Sequence, residues 1–395
     1  MQKMQNILRH LTHLTIPAIC LSALIAGFGT LPARAADVTP RIEVSFVLDT
    51  TGSMGQLIGG AKQKIWTIAR QVVAGRPTPA IKLGLIGFRD RGDQYVTKVF
   101  DLSDDLDAVY GHLMEFQVGG GGDTPESVNQ ALNEAVTKIS WSKDPSTLKL
   151  IFLVGDAPPH MDYPDDVKYP ETVRLAKEAG IVIIAVQCGT YTATTSVWQD
   201  IAGTSGGGFV QIDQSGGMTR TSTPVDSELS RLGVELNRTV VPYGNATRQS
   251  EVRTKESRAG AADVDRLVYL NVDRAEFGAK VVVTGEGELI WDVVNHKVKL
   301  EEIPDSELPV QLQPMTMEAR KDFVDQQFSR RKELQLKVDE LSTQRDAFIK
   351  ADMEKKVAAG SADSFDAKVA EMIQAQALRR GIQYSITAAG VSKEK

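Results

Sequence analysis

Apolar positions along residues 41–240 follow two alternating periods. Short apolar or β-branched runs predict strands, whereas apolar residues at every third or fourth position predict helices. The predicted strands are 41–49, 81–88, 95–100, 148–154, 181–186 and the edge strand 209–212, and helices are predicted at 54–73 and 128–139. Since strands alternate with helices, and two of the strands are almost continuously apolar, the pattern predicts a doubly wound, mostly parallel α/β sheet covered on both faces.

The pattern changes beyond residue 241. Residues 244–264 are polar and have no apolar period, which predicts a linker or long loop. Residues 265–312 contain three strand-like runs separated by Gly, Asp and Asn, which predict a small β-rich region. Residues 316–380 are charged and helical in pattern, with one long helix over 316–358. Self-association through these C-terminal helices stays open.

The long C-terminal helix carries a short apolar stripe at near-heptad spacing. The stripe consists of Leu334, Val338, Leu341 and Phe348, and Arg345 interrupts it. Two repeats are too few to predict a coiled coil.

The first 35 residues have the pattern of a secretory signal peptide. Lys3 and Arg9 precede the apolar stretch 16–31, and Ala33-Arg34-Ala35 fits the small-x-small cleavage pattern. An uncleaved membrane anchor is the alternative, but prolines and glycines interrupt the stretch and its length is marginal for a bilayer span. We therefore expect an exported bacterial protein in the periplasm, or secreted beyond it, with no stable membrane span after signal cleavage.

Composition narrows the function further. The chain has 395 residues, of which 42% are hydrophobic and 24% are charged, a profile typical of a soluble globular protein with two or three domains. The formal net charge of -6 predicts no general attraction to nucleic acid.

Three oxygen-bearing side chains follow the first predicted strand at alternate positions. They are Asp49, Thr51 and Ser53. Since ligand sites in open parallel sheets form at the carboxyl ends of strands, the three side chains can converge on one point there. Oxygen-only ligands select a hard cation; Mg²⁺ is the ion we favour, with Mn²⁺ and Ca²⁺ as alternatives. Two neutral hydroxyls leave most of the charge of such an ion uncancelled, so it should attract a carboxylate from outside.

The segment Asp49-Thr50-Thr51-Gly52-Ser53 resembles the first motif of the metal-ion-dependent adhesion site of von Willebrand factor A domains. Two further segments match that family in the same order. Residues 119–126 (GGGGDTPE) resemble its second metal loop, and residues 155–160 (GDAPPH) resemble its third. Residues 87–90 (GFRD) are similar to a segment common in one subgroup. The resemblance covers 41–240 and implies a Rossmann-like fold that binds a divalent cation.

The resemblance also implies the remaining ligands. Asp156 comes from the third loop, and either Asp123 or Thr124 comes from the second. Spacing to the following helix favours Asp123, whereas side-chain type favours Thr124, so the choice stays open. The implied function is to bind a protein partner, whose Asp or Glu completes the coordination of the metal, without catalysis.

Simpler interpretations compete with this one. Ser53 could cap a helix, and His160 could be a further ligand, although a packed or solvent-facing histidine is the more ordinary role. A metal-dependent hydrolase or phosphatase is an alternative function, but Thr51 stands where haloacid dehalogenase-like enzymes place a second aspartate. A third alternative is an envelope scaffold protein whose metal only stabilises the fold.

Overall fold

The computed structural model describes residues 39–56, 58, 65, 68–69, 71–212, 222–260, 272, 275–276, 287–358 and 365–384. The predicted signal peptide, residues 1–35, lies outside this part of the chain.

A six-stranded, mostly parallel sheet forms the centre of the described structure. Its strands are β1 (Arg41–Asp49), β2 (Ala80–Phe88), β3 (Thr97–Ser103), β4 (Leu148–Gly155), β5 (Ile181–Cys188) and β6 (Phe209–Ile212). The strand order is β3-β2-β1-β4-β5-β6. Only β3 runs antiparallel within this sheet, at the edge beside β2. The predicted doubly wound α/β fold is therefore confirmed.

Helices cover the sheet and continue beyond it. Within the described residues they are α1 (Leu106–Glu115), α2 (Val128–Thr137), α3 (Tyr169–Glu178), α4 (Thr192–Ser205), α5 (Asp226–Asn237), α6 (Ala246–Gly260), α7 (Leu289–Val294), α8 (Met317–Ala358) and α9 (Phe365–Leu378). A short 3₁₀ helix, Gly52–Gln56, follows β1, and residues 58, 65, 68–69 and 71–73 are helical. Among the described residues, no helix combines the length and the apolar character that a membrane crossing requires.

The two faces of the sheet are buried in separate hydrophobic clusters. Alternate residues of β1 divide between them: Phe46 lies in one cluster and Val47 in the other. Helices α2, α3 and α4 cover the second face, where Trp198 is fully buried. Burial on both faces explains why the central strands are continuously apolar instead of alternating.

The C-terminal helix α9 belongs to the core of this sheet. Val369, Ile373 and Ala377 are buried in the same cluster as Val210 and Ile212 of β6. The chain thus returns over more than a hundred residues to cover the face beside its edge strand.

The prediction of a small β-rich region over 265–312 is wrong for those of its residues that the structure describes. Val272, Ala275 and Glu276 are helical, and the strand-like run 288–294 forms α7. Two of the three strand-like runs lie mostly outside the described residues. The Glu288 side chain accepts a hydrogen bond from the backbone N–H of Trp291 (2.7 Å), which caps the helix. Tertiary packing and this cap override the β preference of the run.

The linker predicted for 244–264 also differs from the structure, which has helix α6 there. Asn245 begins it, because its side chain accepts a hydrogen bond from the N–H of Arg248 at 2.9 Å. Val252 is buried, but the described residues around it are polar and mostly exposed, so the sequence shows no apolar period.

Helix α8, with 42 residues, extends roughly 60 Å, and buried ion pairs attach it to the preceding region. Arg331 donates to Glu288 at 2.9 Å, and Arg345 donates to Asp226 of α5, also at 2.9 Å. Leu334 and Val338 pack with the buried leucines of α5. Arg345 interrupts the apolar stripe because its position faces a buried carboxylate.

Candidate metal centre

The first loop and the third loop meet above β1 and β4, which are neighbours in the sheet. Asp49 is fully buried, and its Oδ1 accepts hydrogen bonds from the Thr51 N–H (2.8 Å) and the Thr51 hydroxyl (2.6 Å). The Ser53 hydroxyl donates to Oδ1 of Asp156 at 3.0 Å. The structure therefore brings together four of the predicted site residues: Asp49, Thr51, Ser53 and Asp156.

The hydroxyl oxygens of Thr51 and Ser53 lie 3.0 Å apart. Each hydroxyl has a single hydrogen. When both hydrogens point to their carboxylates, the two oxygens face each other with lone pairs only. A cation beside the two oxygens satisfies such an arrangement.

The second loop packs against the first through its glycines. The N–H of Gly52 donates to the carbonyl of Gly120 (3.2 Å), and the N–H of Gly119 donates to that of Thr50 (3.1 Å). Gly121 has φ +77°, and a Cβ there would lie 3.4 Å from the Cβ of Thr51. The close approach and the left-handed backbone explain why glycines form this loop.

The two alternative ligands of the second loop, Asp123 and Thr124, line the same cleft but differ in their contacts. Asp123 is exposed, and its Oδ1 lies 3.7 Å from Nε2 of His160. Thr124 lines a cleft that Ser53 and Asp156 also line. The cleft has a volume of about 640 Å³ and opens to solvent above the hydroxyls.

Glu126 is a residue that the sequence analysis missed. It is buried, its Oε1 would lie 3.2 Å from a Cβ at Gly121, and its Oε2 receives no hydrogen bond within the described structure. Burial first, and then the charges of Asp49 and Asp90, raise the pKa of Glu126 to about 9. Its sequence signal was its place at the end of the segment 119–126 that resembles the second metal loop, but a position after Pro125 is equally typical of a first helical turn.

Burial, with a smaller contribution from neighbouring charges, raises the pKa values of the carboxyl groups at this centre. Burial, followed by the charge of Asp156, raises the pKa of Asp49, and burial raises the pKa of Asp156. Oδ2 of Asp49 is buried and receives no hydrogen bond of normal geometry within the described residues. Two buried carboxylates with an unsatisfied oxygen, Asp49 and Glu126, lie with the half-buried Asp156 near two hydroxyls. This all-oxygen donor set fits a hard divalent cation.

A second group of polar side chains lies behind the second loop. His160 is 4% exposed and stacks on the ring of Tyr163, with the centroids 4.0 Å apart. Oδ1 of Asp90 accepts a hydrogen bond from the Ser127 hydroxyl at 2.9 Å, and the Tyr163 hydroxyl also donates to the Asp90 carboxylate. His160 is therefore buried and packed on Tyr163, and its ring nitrogens face carboxylates.

Residues 43–214 match the family model of the von Willebrand factor A domain. The chain is 35% identical over 158 residues to von Willebrand factor A domain-containing protein 7 from Homo sapiens, and the mouse protein of the same name matches equally. The aligned region covers 38% of this chain and spans only 16% of the length of these relatives. These matches support the von Willebrand factor A domain predicted from the three loops.

Solved structures show weaker likenesses. The conserved hypothetical protein BatB from Bacteroides thetaiotaomicron has a TM-score of 0.36 and 18% identity over 44% of this chain and 91% of that one. The SpRpn10 VWA domain has a TM-score of 0.35 and 17% identity over 45% and 90% of the two chains.

Proposed function

We propose that this protein is an exported, non-catalytic binding module that holds a divalent cation, with Mg²⁺ as the favoured ion. Through this cation it binds an acidic side chain of a protein partner. The supporting observation is the oxygen cluster of Asp49, Thr51, Ser53 and Asp156, in which Oδ2 of the buried Asp49 receives no hydrogen bond within the described residues. The match to a family of interaction modules favours binding over catalysis. The signal-peptide pattern of residues 1–35 supports location in the periplasm.

The residues fit their proposed task by chemical type. Asp49 and Asp156 supply negative charge, while the hydroxyls of Thr51 and Ser53 supply neutral oxygen donors. Glu126 can compensate further charge from the second loop, and Thr124, which lines the same cleft, can supply a further neutral oxygen donor. A bound cation would supply electrostatic attraction for an incoming carboxylate, and the open cleft above Ser53 gives that carboxylate access.

A cation-dependent capture experiment tests this function. The purified protein is immobilised and exposed to periplasmic extract with Mg²⁺, with chelator, and with Mg²⁺ plus excess free glutamate. We expect a partner to be retained with Mg²⁺ alone and to be released by chelator and by glutamate, because free carboxylate competes for the open position. Asp49→Ala should abolish capture.

Asp144→Ala is the matched control. Asp144 accepts hydrogen bonds from the N–H and hydroxyl of Ser146, as Asp49 does from Thr51, but it is exposed and precedes β4. Capture that survives chelator and Asp49→Ala would contradict the proposal. If capture is lost only under conditions in which chelation also unfolds the protein, the scaffold alternative is favoured. If the protein has a phosphatase activity that Asp49→Asn abolishes, the hydrolase alternative is favoured.

A further inference from the structure

Asp90, Asp123 and His160 place two carboxylates and one imidazole around a common point behind the second loop. One ligand atom from each lies within 4.8 Å of the other two. We propose that this cluster is a second metal site, which contains a nitrogen donor and selects a Zn²⁺-class ion. Its three ligands differ from the four residues of the oxygen cluster at Asp49, although Asp123 lines the same cleft as Ser53 and Asp156. The proposal does not depend on that cluster holding a cation.

The hydrogen bonds of His160 orient its ring for metal binding. Nδ1 lies 2.7 Å from Oδ1 of Asp162. An ionised carboxylate only accepts hydrogen bonds, so the Nδ1 atom carries the hydrogen. A carboxylate that holds the outer nitrogen of a histidine in this way is a recurring support of metal-ligating histidines.

The opposite nitrogen, Nε2, points at carboxylates instead of at a donor. It lies 3.3 Å from Oδ2 of Asp90 and 3.7 Å from Oδ1 of Asp123, and it is buried without a hydrogen bond in the described structure. In a neutral imidazole with its hydrogen on Nδ1, the Nε2 lone pair would repel both oxygens. A metal ion bound by all three atoms turns this repulsion into coordination.

The spacing favours a tetrahedral ion over Mg²⁺. With metal–ligand bonds of about 2.1 Å, two ligands of a tetrahedral Zn²⁺ are separated by about 3.4 Å. Two neighbouring ligands of octahedral Mg²⁺ are only about 2.9 Å apart. The separations of 3.3 and 3.7 Å at Nε2 are wider than the octahedral value and leave room for a tetrahedral ion. Imidazole nitrogen also suits Zn²⁺ better than Mg²⁺.

Neighbouring groups hold two of the three ligands in place and leave the third accessible. The backbone of His160 donates to the carbonyl of Glu126 (3.1 Å), and its ring stacks on Tyr163. Asp90 is buried and accepts from the Ser127 hydroxyl. The Asp123 side chain is 60% exposed, so a bound ion would keep a coordination position open to water or to a partner.

Zn²⁺ titration of untagged, metal-stripped protein by calorimetry tests the site, with Mg²⁺ present in excess to occupy the oxygen cluster. We expect one Zn²⁺ per chain in the wild type and in Asp49→Ala. The affinity should fall at least about tenfold in His160→Gln and in Asp123→Asn, and by a smaller factor in Asp162→Asn. Co²⁺ in place of Zn²⁺ should give the intense visible absorption of a four- or five-coordinate ion, and His160→Gln should remove it.

His112→Gln is the matched control, since His112 is also near a carboxylate, with Nδ1 3.6 Å from Glu115, but belongs to no cluster of this kind among the described residues. Circular dichroism and melting temperature establish that each variant is folded. If His160→Gln does not fold, Asp123→Asn still tests the site, because Asp123 is exposed. Absence of Zn²⁺ binding in the wild type, or binding unchanged in Asp123→Asn and His160→Gln, would overturn the site. Loss of Zn²⁺ binding in Asp49→Ala alone would show that the ion sits in the oxygen cluster.

Discussion

Two aspartates of this protein make the same local hydrogen bonds at opposite edges of the sheet. Asp49 Oδ1 accepts from the N–H and hydroxyl of Thr51 at 2.8 and 2.6 Å. Asp144 Oδ1 accepts from the N–H and hydroxyl of Ser146 at 2.9 and 2.7 Å. Asp49 ends β1, at the carboxyl edge, whereas Asp144 precedes β4, at the edge where that parallel strand begins.

The surroundings of the two aspartates give them opposite properties. The hydrogen bond from the Ser146 hydroxyl lowers the pKa of the exposed Asp144. Burial and the charge of Asp156 raise the pKa of Asp49 despite equivalent hydrogen bonds. An aspartate followed two residues later by a hydroxyl is therefore a turn motif at one edge and a candidate metal ligand at the other. What distinguishes them is burial beside a second and a third carboxylate.

The largest expected difference between the two edges is in cation affinity. Asp49→Ala should weaken Mn²⁺ binding by at least about a hundredfold, because it removes a buried ligand. Loss of a residue that only hydrogen-bonds to a metal ligand already lowers metal affinity by about 10–100-fold. Asp144→Ala should change the affinity by less than about twofold, since surface carboxylates interact weakly with solvated ions. Calorimetric titration of both variants measures the difference, and equal effects would remove the distinction between the two edges.

The wall behind Asp49 should matter next. A Cβ at Gly155 would lie 2.8 Å from the Asp49 Cβ and 3.2 Å from the Trp198 ring. Gly155→Ala should therefore displace the carboxylate, weaken Mn²⁺ binding and lower the free energy of unfolding by about 1–3 kcal/mol. Gly122→Ala is the control, because a Cβ there meets nothing within 4 Å. Chemical denaturation and calorimetry would contradict this expectation if the two alanines behaved alike.

The hydroxyl partners should show a smaller difference. Thr51→Val keeps the shape of the side chain but removes one oxygen donor, so Mn²⁺ affinity should fall by about tenfold. Ser146→Ala removes the equivalent hydroxyl beside Asp144 and should leave the affinity unchanged. A Thr51→Val protein with wild-type affinity would exclude this hydroxyl from the site.

The pH dependence of stability without a cation should show the smallest effect. Unfolded Asp and Glu lose their protons near pH 4, while folded Asp49 and Glu126 keep theirs to higher pH. Since the folded state then binds more protons, stability falls as the pH rises above about 4 and levels off above the raised pKa values. In chelator, the melting temperature should be lower at about pH 8 than at about pH 5 by at least about 2 °C.

Two additions to the pH experiment identify the groups responsible. Mg²⁺ should restore the melting temperature at the higher pH, and Asp49→Asn should reduce the pH dependence in chelator, while Glu126 retains its own contribution. Asp144→Asn should not reduce the pH dependence, since the pKa of Asp144 is shifted in the other direction. A melting temperature that rises with pH in chelator would show that the carboxylates are already compensated within the protein.

The strands and the first site loop could be predicted because their signals are local. Burial on both faces of the sheet is enough to explain the apolar runs of β4 and β5. The first-loop residues Asp49, Thr51 and Ser53 lie within five consecutive positions of the chain. Residues 288–294 show the limit of that reasoning. The same β-branched run forms α7, since Glu288 caps it and also pairs with Arg331, 43 positions away in the chain.

The part of the site that the sequence did not predict depends on long-range contacts. Glu126 looks like a helix-terminal residue until the fold places it near Asp49, Asp90 and Asp156. Arg345 looks like an error in an apolar stripe until Asp226 is found opposite it, 119 residues earlier. A charged residue that interrupts an apolar periodic pattern is thus a candidate for a buried ion pair. Its partner, however, is known only once the fold is known.

The most direct test of the metal centre is a crystal structure of the protein soaked with Mn²⁺, with anomalous scattering used to locate the ion. We expect a peak in contact with oxygen atoms of Asp49, Thr51, Ser53 or Asp156, either directly or through bound water, at the carboxyl edge of β1 and β4. A peak confined to Asp90 and His160, or no peak within reach of the Asp49 loop, would contradict it.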